Sequence, residues 1–314
     1  MKYIDLHCDT LTASKDKGVP LDSGNLHISL DKLEKSGCAA QCFAIFTDGE
    51  TAPKDFEKYL SFYGEEMQRL SARILPVRQY SDLKYCLDGG GTGVILTVEN
   101  LGFIGGDISR LDKLYKSGVR MASLVWNFEN ALAFPNLKFK DNLPLFSERE
   151  NRGLTKLGKQ AVEKLDELGI IVDISHLSDG GAEDILKDRK IPIVASHSNA
   201  EAVYPVCRNL TDGLIKKIAD CGGVIGVNFC VDFLGGNGSM ESVLGHINRI
   251  IKVGGEEAIA FGSDFDGIPE NPFIKDCTAM PDLLNFLNLR GLSTETLEKL
   301  AYKNFARVFR AVCG

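Results

Sequence analysis

No apolar run in the 314 residues approaches the roughly 20 that a membrane-spanning helix needs, so no membrane segment is expected. The opening Met1-Lys2-Tyr3-Ile4-Asp5-Leu6-His7-Cys8-Asp9 lacks the unbroken apolar core of a secretory leader, because Asp5, His7 and Asp9 interrupt it. Also missing is any Lys/Arg cluster interleaved with aromatics. With a net charge of −7, nucleic acid is therefore not an expected partner. The nine cysteines are an odd number and show no C-x-x-C spacing. They read as reduced, buried thiols of a cytoplasmic protein and not as a disulfide framework. Histidine is scarce, with five in the chain, and tryptophan scarcer, with Trp126 alone.

What is present is a 44% hydrophobic and 25% charged chain, the balance of a globular protein with a large core. Short β-branched runs recur between helical patterns along its whole length. Strands are expected near 3–8, 39–46, 93–98, 120–126, 170–175, 192–196, 223–229 and 257–263. Between them, 154–168 repeats Leu157, Val162, Leu165 and Leu168 at helical spacing and stops at Gly169. The segment 210–220 offers Thr211 as N-cap and places Leu214 and Ile218 on one face. Strands alternating with helices of this length imply parallel pairing through right-handed crossovers. Eight such units predict an α/β fold, a (β/α)₈ barrel over 1–314 as a single domain. An open doubly wound sheet is the competing architecture. No repeat or linker divides the chain. The longest aperiodic stretch, about 127–152, follows the fourth strand and is expected to carry function.

Three of the five histidines fall at the C-terminal ends of expected strands, where a barrel places its active site. His7 and Asp9 end the first strand, Glu99 the third, His176 the fifth, His197 the sixth and Asp264 the eighth. His27 and His246 lie off that rim and read as structural or solvent-exposed. A lone His-x-Asp pair is as readily a hydrogen-bonded core histidine. A glutamate closing an apolar strand says more, because a buried carboxylate costs several kcal/mol unless a cation compensates it. Three imidazoles and two carboxylates are too many for one tetrahedral zinc but suit two ions sharing a bridge. A carboxylate can bridge and an imidazole cannot. The expected ligands are thus His7, Asp9 and Glu99 for one ion and Glu99, His176 and His197 for the other. This donor set points to zinc, with manganese, iron or cobalt as alternatives.

The segments DLHCDT at the start, LTVEN at 96–100, GLTKLG, LGIIVDISHLS at 168–178, ASHSNA at 195–200, RNLTD at 208–212, GGVIGVNF at 222–229 and GSDFDG at 262–267 carry a resemblance. Over nearly its full length the chain resembles the membrane (renal) dipeptidase family of zinc metallopeptidases and its bacterial relatives. The resemblance implies a dinuclear zinc barrel bridged by Glu99. It also implies that Arg208 binds the substrate's terminal carboxylate, a role that suits a guanidinium fork, and that Asp264 is the acid/base aspartate. Asp266 would then be structural. The reaction implied is amide hydrolysis of a dipeptide-like substrate, in which a water activated between two cations attacks and Asp264 carries its proton to the departing amine. A D-residue at the C-terminal position and a homodimer are both compatible with the family. One departure stands out: where animal members carry a histidine at the end of strand four, this chain has Trp126. Indole can donate a hydrogen bond but cannot take up a proton, so Trp126 reads as a wall of the substrate pocket. The lack of an anchor signal is a second departure. A related amidohydrolase or lactonase, and a non-catalytic metal-binding barrel, remain as alternative functions. A phosphate loop does not, since Gly89-Gly90-Gly91-Thr92-Gly93 precedes a strand instead of following one.

Overall fold

A computed structural model describes residues 1–140 and 143–314. Eight strands form the barrel: β1 (Tyr3–Asp5), β2 (Cys38–Phe46), β3 (Thr92–Glu99), β4 (Val119–Ser123), β5 (Ile171–Asp173), β6 (Val194–Ala195), β7 (Val224–Val227) and β8 (Ile259–Phe261). Every neighbouring pair is parallel, and β1 lies between β2 and β8. The long register of β2 against β3, from Ala40↔Gly93 to Phe46↔Glu99, closes the ring. All eight expected strands are thus present and the sheet is closed, not open. The first is shorter than expected: its ladder stops at Asp5, and Cys8 makes only an isolated bridge to Phe265.

Three further strand segments were not expected. Ile74–Pro76 pairs with the first residues of β3 and is too short to show periodicity. Lys138–Lys140 pairs antiparallel with Leu143–Leu145 inside the stretch expected to be aperiodic.

The helices start and stop where local chemistry directs. The expected helix at 154–168 is Lys156–Leu168, with the Thr155 side chain accepting from Gly158 N and Gly169 closing it at φ 71°. The second is Asp212–Asp220, capped by Thr211 through Leu214 N. Side-chain oxygens at these N-caps satisfy amides that have no partner within the helix.

One buried cluster takes a residue from each of the eight strands: Ile4, Ala40, Ile95, Met121, Ile171, Val194, Val224 and Ala260. This is the filled barrel interior, and Phe305 and Phe309 of the C-terminal helix Asn304–Cys313 join it. Val94, Leu96 and Val98 belong instead to the larger cluster outside, between strands and helices. Alternation along β3 therefore points Ile95, Thr97 and Glu99 inward, and the last of these reaches the C-terminal mouth. All nine cysteines are free thiols, eight of them buried. Among the described residues no helix is long and apolar enough to cross a membrane.

Candidate metal centre and substrate pocket

The C-terminal ends of the strands face a cavity of about 560 Å³, lined by Asp9, Glu99, Trp126, His176, Arg208 and Asp264 among others. His7 and His197 adjoin these groups, each almost fully buried. His7 and Asp9 follow β1 past its ladder, and Asp9 starts the helix Thr10–Lys17. His7 Nε2 lies 3.5 Å from Asp9 Oδ2, 3.4 Å from Glu99 Oε2 and 3.9 Å from Asp264 Oδ1. The other Glu99 oxygen, Oε1, is 3.0 Å from His176 Nε2 and 3.7 Å from His197 Nε2. The two histidine Nε2 atoms stand 2.9 Å apart. Glu99 thus reaches one group of donors with each oxygen.

His176 and Asp264 both adopt left-handed backbone, at φ 68° and 64°. For a non-glycine residue that costs about 1–2 kcal/mol. At the end of a strand it turns the chain sharply and aims the side chain into the mouth. Backbone bonds hold both turns: Asn136 N donates to His176 O, and Asp264 N to His7 O. Gly267 follows for a steric reason, because a Cβ there would collide with Asp9 Oδ2 and Asp264 Oδ1.

The charges are strongly coupled. Burial works against ionised Glu99, yet His7 and His176 hold it well below the usual carboxylate range. Burial opposes charge on His7 too, but Glu99 and Asp9 outweigh it and raise its pKa well above the ordinary imidazole value. His176 is pushed down to about 4 by burial and by Arg208. Burial, with His7 and His176, keeps His197 well below its usual value. Among the protein groups themselves, then, Glu99 and Asp9 draw positive charge onto His7 while the other two rings stay neutral. Neutral imidazoles and carboxylates are the forms that bind a divalent cation.

His7 Nε2 and Asp9 Oδ1 are buried with no hydrogen-bond partner. Orphaned buried donor atoms of these types, at this spacing, fit a cation better than they fit a packed core. Glu99, His176 and His197 form one set of donor atoms within 4.8 Å of one another, and His7, Asp9 and Asp264 form another. A third set, His7, Asp173 and His197, is weaker, because Asp173 already accepts from Ser175 N, Ser196 N and Ser196 Oγ.

Arg208 follows β6 and is 2% exposed, yet its Nε and Nη1 have no partner. Nη2 lies 3.1 Å from His176 Nε2, and the guanidinium sits over the Phe233 ring at 5.2 Å. Trp126 stands in an aromatic wall, with its ring 4.8 Å from Phe46 and 5.8 Å from Phe128. Phe139 and Phe146, from the stretch expected to carry function, line the same cavity. All eight site residues expected from sequence therefore converge on one mouth. His27 and His246 stay outside it, as expected. His27 Nδ1 accepts from Asp266 N, and the Asp266 carboxylate takes bonds from Thr10, His27 N and Ile28 N. Sequence reasoning missed Asn127, whose Oδ1 is 2.9 Å from His176 Nδ1, and Asn228, which donates to Asp264 Oδ2 at 2.9 Å. Asn127 adjoins the conspicuous Trp126 and so left a faint signal; Phe233 left none.

A closed parallel barrel with imidazoles and carboxylates gathered at its C-terminal mouth defines a metal-dependent hydrolase of the (β/α)₈ class. Residues 1–313 match the sequence model of membrane dipeptidase, peptidase family M19, and the chain belongs to that family of metallopeptidases. It is 30% identical to an uncharacterized dipeptidase of Schizosaccharomyces pombe, over 90% of this chain and 72% of that one. It is 32% identical to an uncharacterized Klebsiella pneumoniae protein of the pqqA 5′ region, over 74% of this chain and 86% of that one. The crystal structure of dipeptidase AC, a family M19 metallopeptidase, superposes with a TM-score of 0.92 at 26% identity, over 100% and 99% of the two chains. A Rhodobacter sphaeroides metallopeptidase holding a phosphinate mimic of the dipeptide L-Ala-D-Ala superposes with a TM-score of 0.90 at 26% identity, over 99% of each chain.

Proposed function

We propose that this chain hydrolyses dipeptides, including those with a D-residue at the C-terminal position, at a centre of two divalent ions for which zinc is the first candidate. His7, Asp9 and Glu99 would hold one ion and Glu99, His176 and His197 the other, with Glu99 as the bridge. Ions bound there supply Lewis acidity and make a water molecule acidic near neutral pH. The protein's own groups do the rest. Arg208 grips the substrate carboxylate, Trp126 and its aromatic neighbours exclude water from one side, and Asp264 takes a proton and returns it to the leaving amine. Glu99, with one oxygen toward each donor group, would take part by holding both ions.

The observation that carries this reading is the pairing of the donor cluster with Arg208 on one cavity. A buried guanidinium with two unpartnered nitrogens needs an anion, and several kcal/mol of desolvation make such an arrangement rare without a ligand to meet it. The Rhodobacter complex supports a dipeptide as that ligand.

The test is hydrolysis of a panel of L,L- and L,D-dipeptides by protein of measured metal content. Arg208→Met should lower kcat/KM at least about 30-fold, the counterpart of about 2 kcal/mol or more for a lost buried charge contact. The same dipeptides with amidated C-termini should be poor substrates and insensitive to that change. Equal turnover of substrates without a free carboxylate would instead mark a related amidohydrolase or lactonase.

A further inference from the structure

Asp173 ends β5 and Ser196 follows β6, and the pairing Asp173↔Val194 sets the two side by side beneath the mouth. Both are buried, at 4% and 0% exposure. Asp173 Oδ1 accepts from Ser175 N and Ser196 N, each at 2.9 Å. Asp173 Oδ2 accepts from Ser196 Oγ at 2.5 Å. On its other side Ser196 Oγ is 2.7 Å from His197 Nδ1. Ser175 Oγ, 3.2 Å from Ser196 Oγ, accepts from His197 N.

A hydroxyl has a single proton to give. Ser196 gives it to Asp173, so toward His197 its oxygen can only accept. We infer that Asp173 and Ser196 are a positioning pair that fixes the His197 ring proton on Nδ1 and turns its Nε2 lone pair toward Glu99 and His176. The direction of the chain follows from which atoms can donate. Ring nitrogens of histidine are distinguished by the partner of the opposite nitrogen, and His197 itself is buried. Asn127 Oδ1 facing His176 Nδ1 does the same for the second ring by a shorter route.

The consequence for affinity rests on the metal-centre reading above, whereas the position of the proton does not. A ring already presenting a bare Nε2 binds a cation without first moving a proton or rotating. Partners of this kind alter metal affinity by about 10–100-fold.

The full chain tests this in two ways. Nitrogen-15 histidine spectra of the metal-depleted wild type should place the His197 proton on Nδ1. Calorimetric zinc titration should show Ser196→Ala binding about 10–100-fold more weakly, with Ser196→Thr, which keeps the hydroxyl, recovering most of the loss. A His197 proton on Nε2 in the wild type, or Ser196→Ala titrating like the wild type, overturns the pairing. If Ser196→Ala fails to fold, the wild-type spectrum alone decides. Should the wild type take up no zinc, the metal-centre reading fails, and the spectrum still decides where the proton lies.

Discussion

Burial lifts the Asp264 carboxyl to about 7, with Asp9 and Glu99 adding to the push and His7 and the Asn228 amide opposing it. At the rim of the donor cluster this carboxyl is placed to accept and return a proton. Asp264→Asn keeps the shape and the Asn228 contact site but removes that capacity. It should retain metal content and lose at least about 10²-fold in kcat, read by steady-state kinetics beside metal analysis; full activity in that variant removes Asp264 from the chemistry. At this scale the sequence was most legible where residue type and strand end coincide, as for Glu99 and His197. It was least legible for Asn228 and Phe233, which meet the site only through contacts between distant segments.

The βα and αβ connections hold these residues in place, and two can be tested. Gly169 ends the helix Lys156–Leu168 in left-handed backbone, and a Cβ there would lie 2.8 Å from Val312 O. Gly169→Ala should destabilise the fold by about 1–2 kcal/mol, with a lower thermal midpoint; an unchanged midpoint would mean the turn tolerates the side chain. The second is His246, fully buried in the helix Met240–Gly254. Its Nδ1 accepts from Ala200 N and its Nε2 donates to Leu234 O, each at 3.1 Å, tying the loop after β6 to the helix Val231–Leu234. Burial holds its pKa below the ordinary imidazole value. The unfolded ring takes a proton near about 6.5, whereas the folded ring resists it. The stabilisation from the neutral ring is therefore present above that value and is lost as pH falls through the window down to the folded value. Between pH ~7 and ~5, zinc-saturated wild type should lose more thermal stability than His246→Gln. Parallel slopes would remove His246 from the acid response. The capped helices and all eight strands were readable because caps, periodicity and β-branched runs are local signals. The early end of the β1 ladder, the Ile74–Pro76 strand and the short antiparallel pair were not, because three-residue pairings have no period of their own.

Across the whole molecule, strand order turns residues from one end of the chain to the other into neighbours. His7 and Asp264 are 3.9 Å apart because β1 and β8 are adjacent in a closed ring. Closure was inferred from the count of βα units, and the β2–β3 pairing is what makes the rim continuous. That rim gives Glu99 a donor group on each side, so the proposed function rests on whether cations bind around it. Anomalous diffraction at the zinc edge from zinc-loaded crystals measures this directly. Two peaks should flank Glu99, one beside His7 and Asp9 and one beside His176 and His197. No peak at the mouth, or zinc bound only elsewhere on the molecule, would contradict the proposed centre.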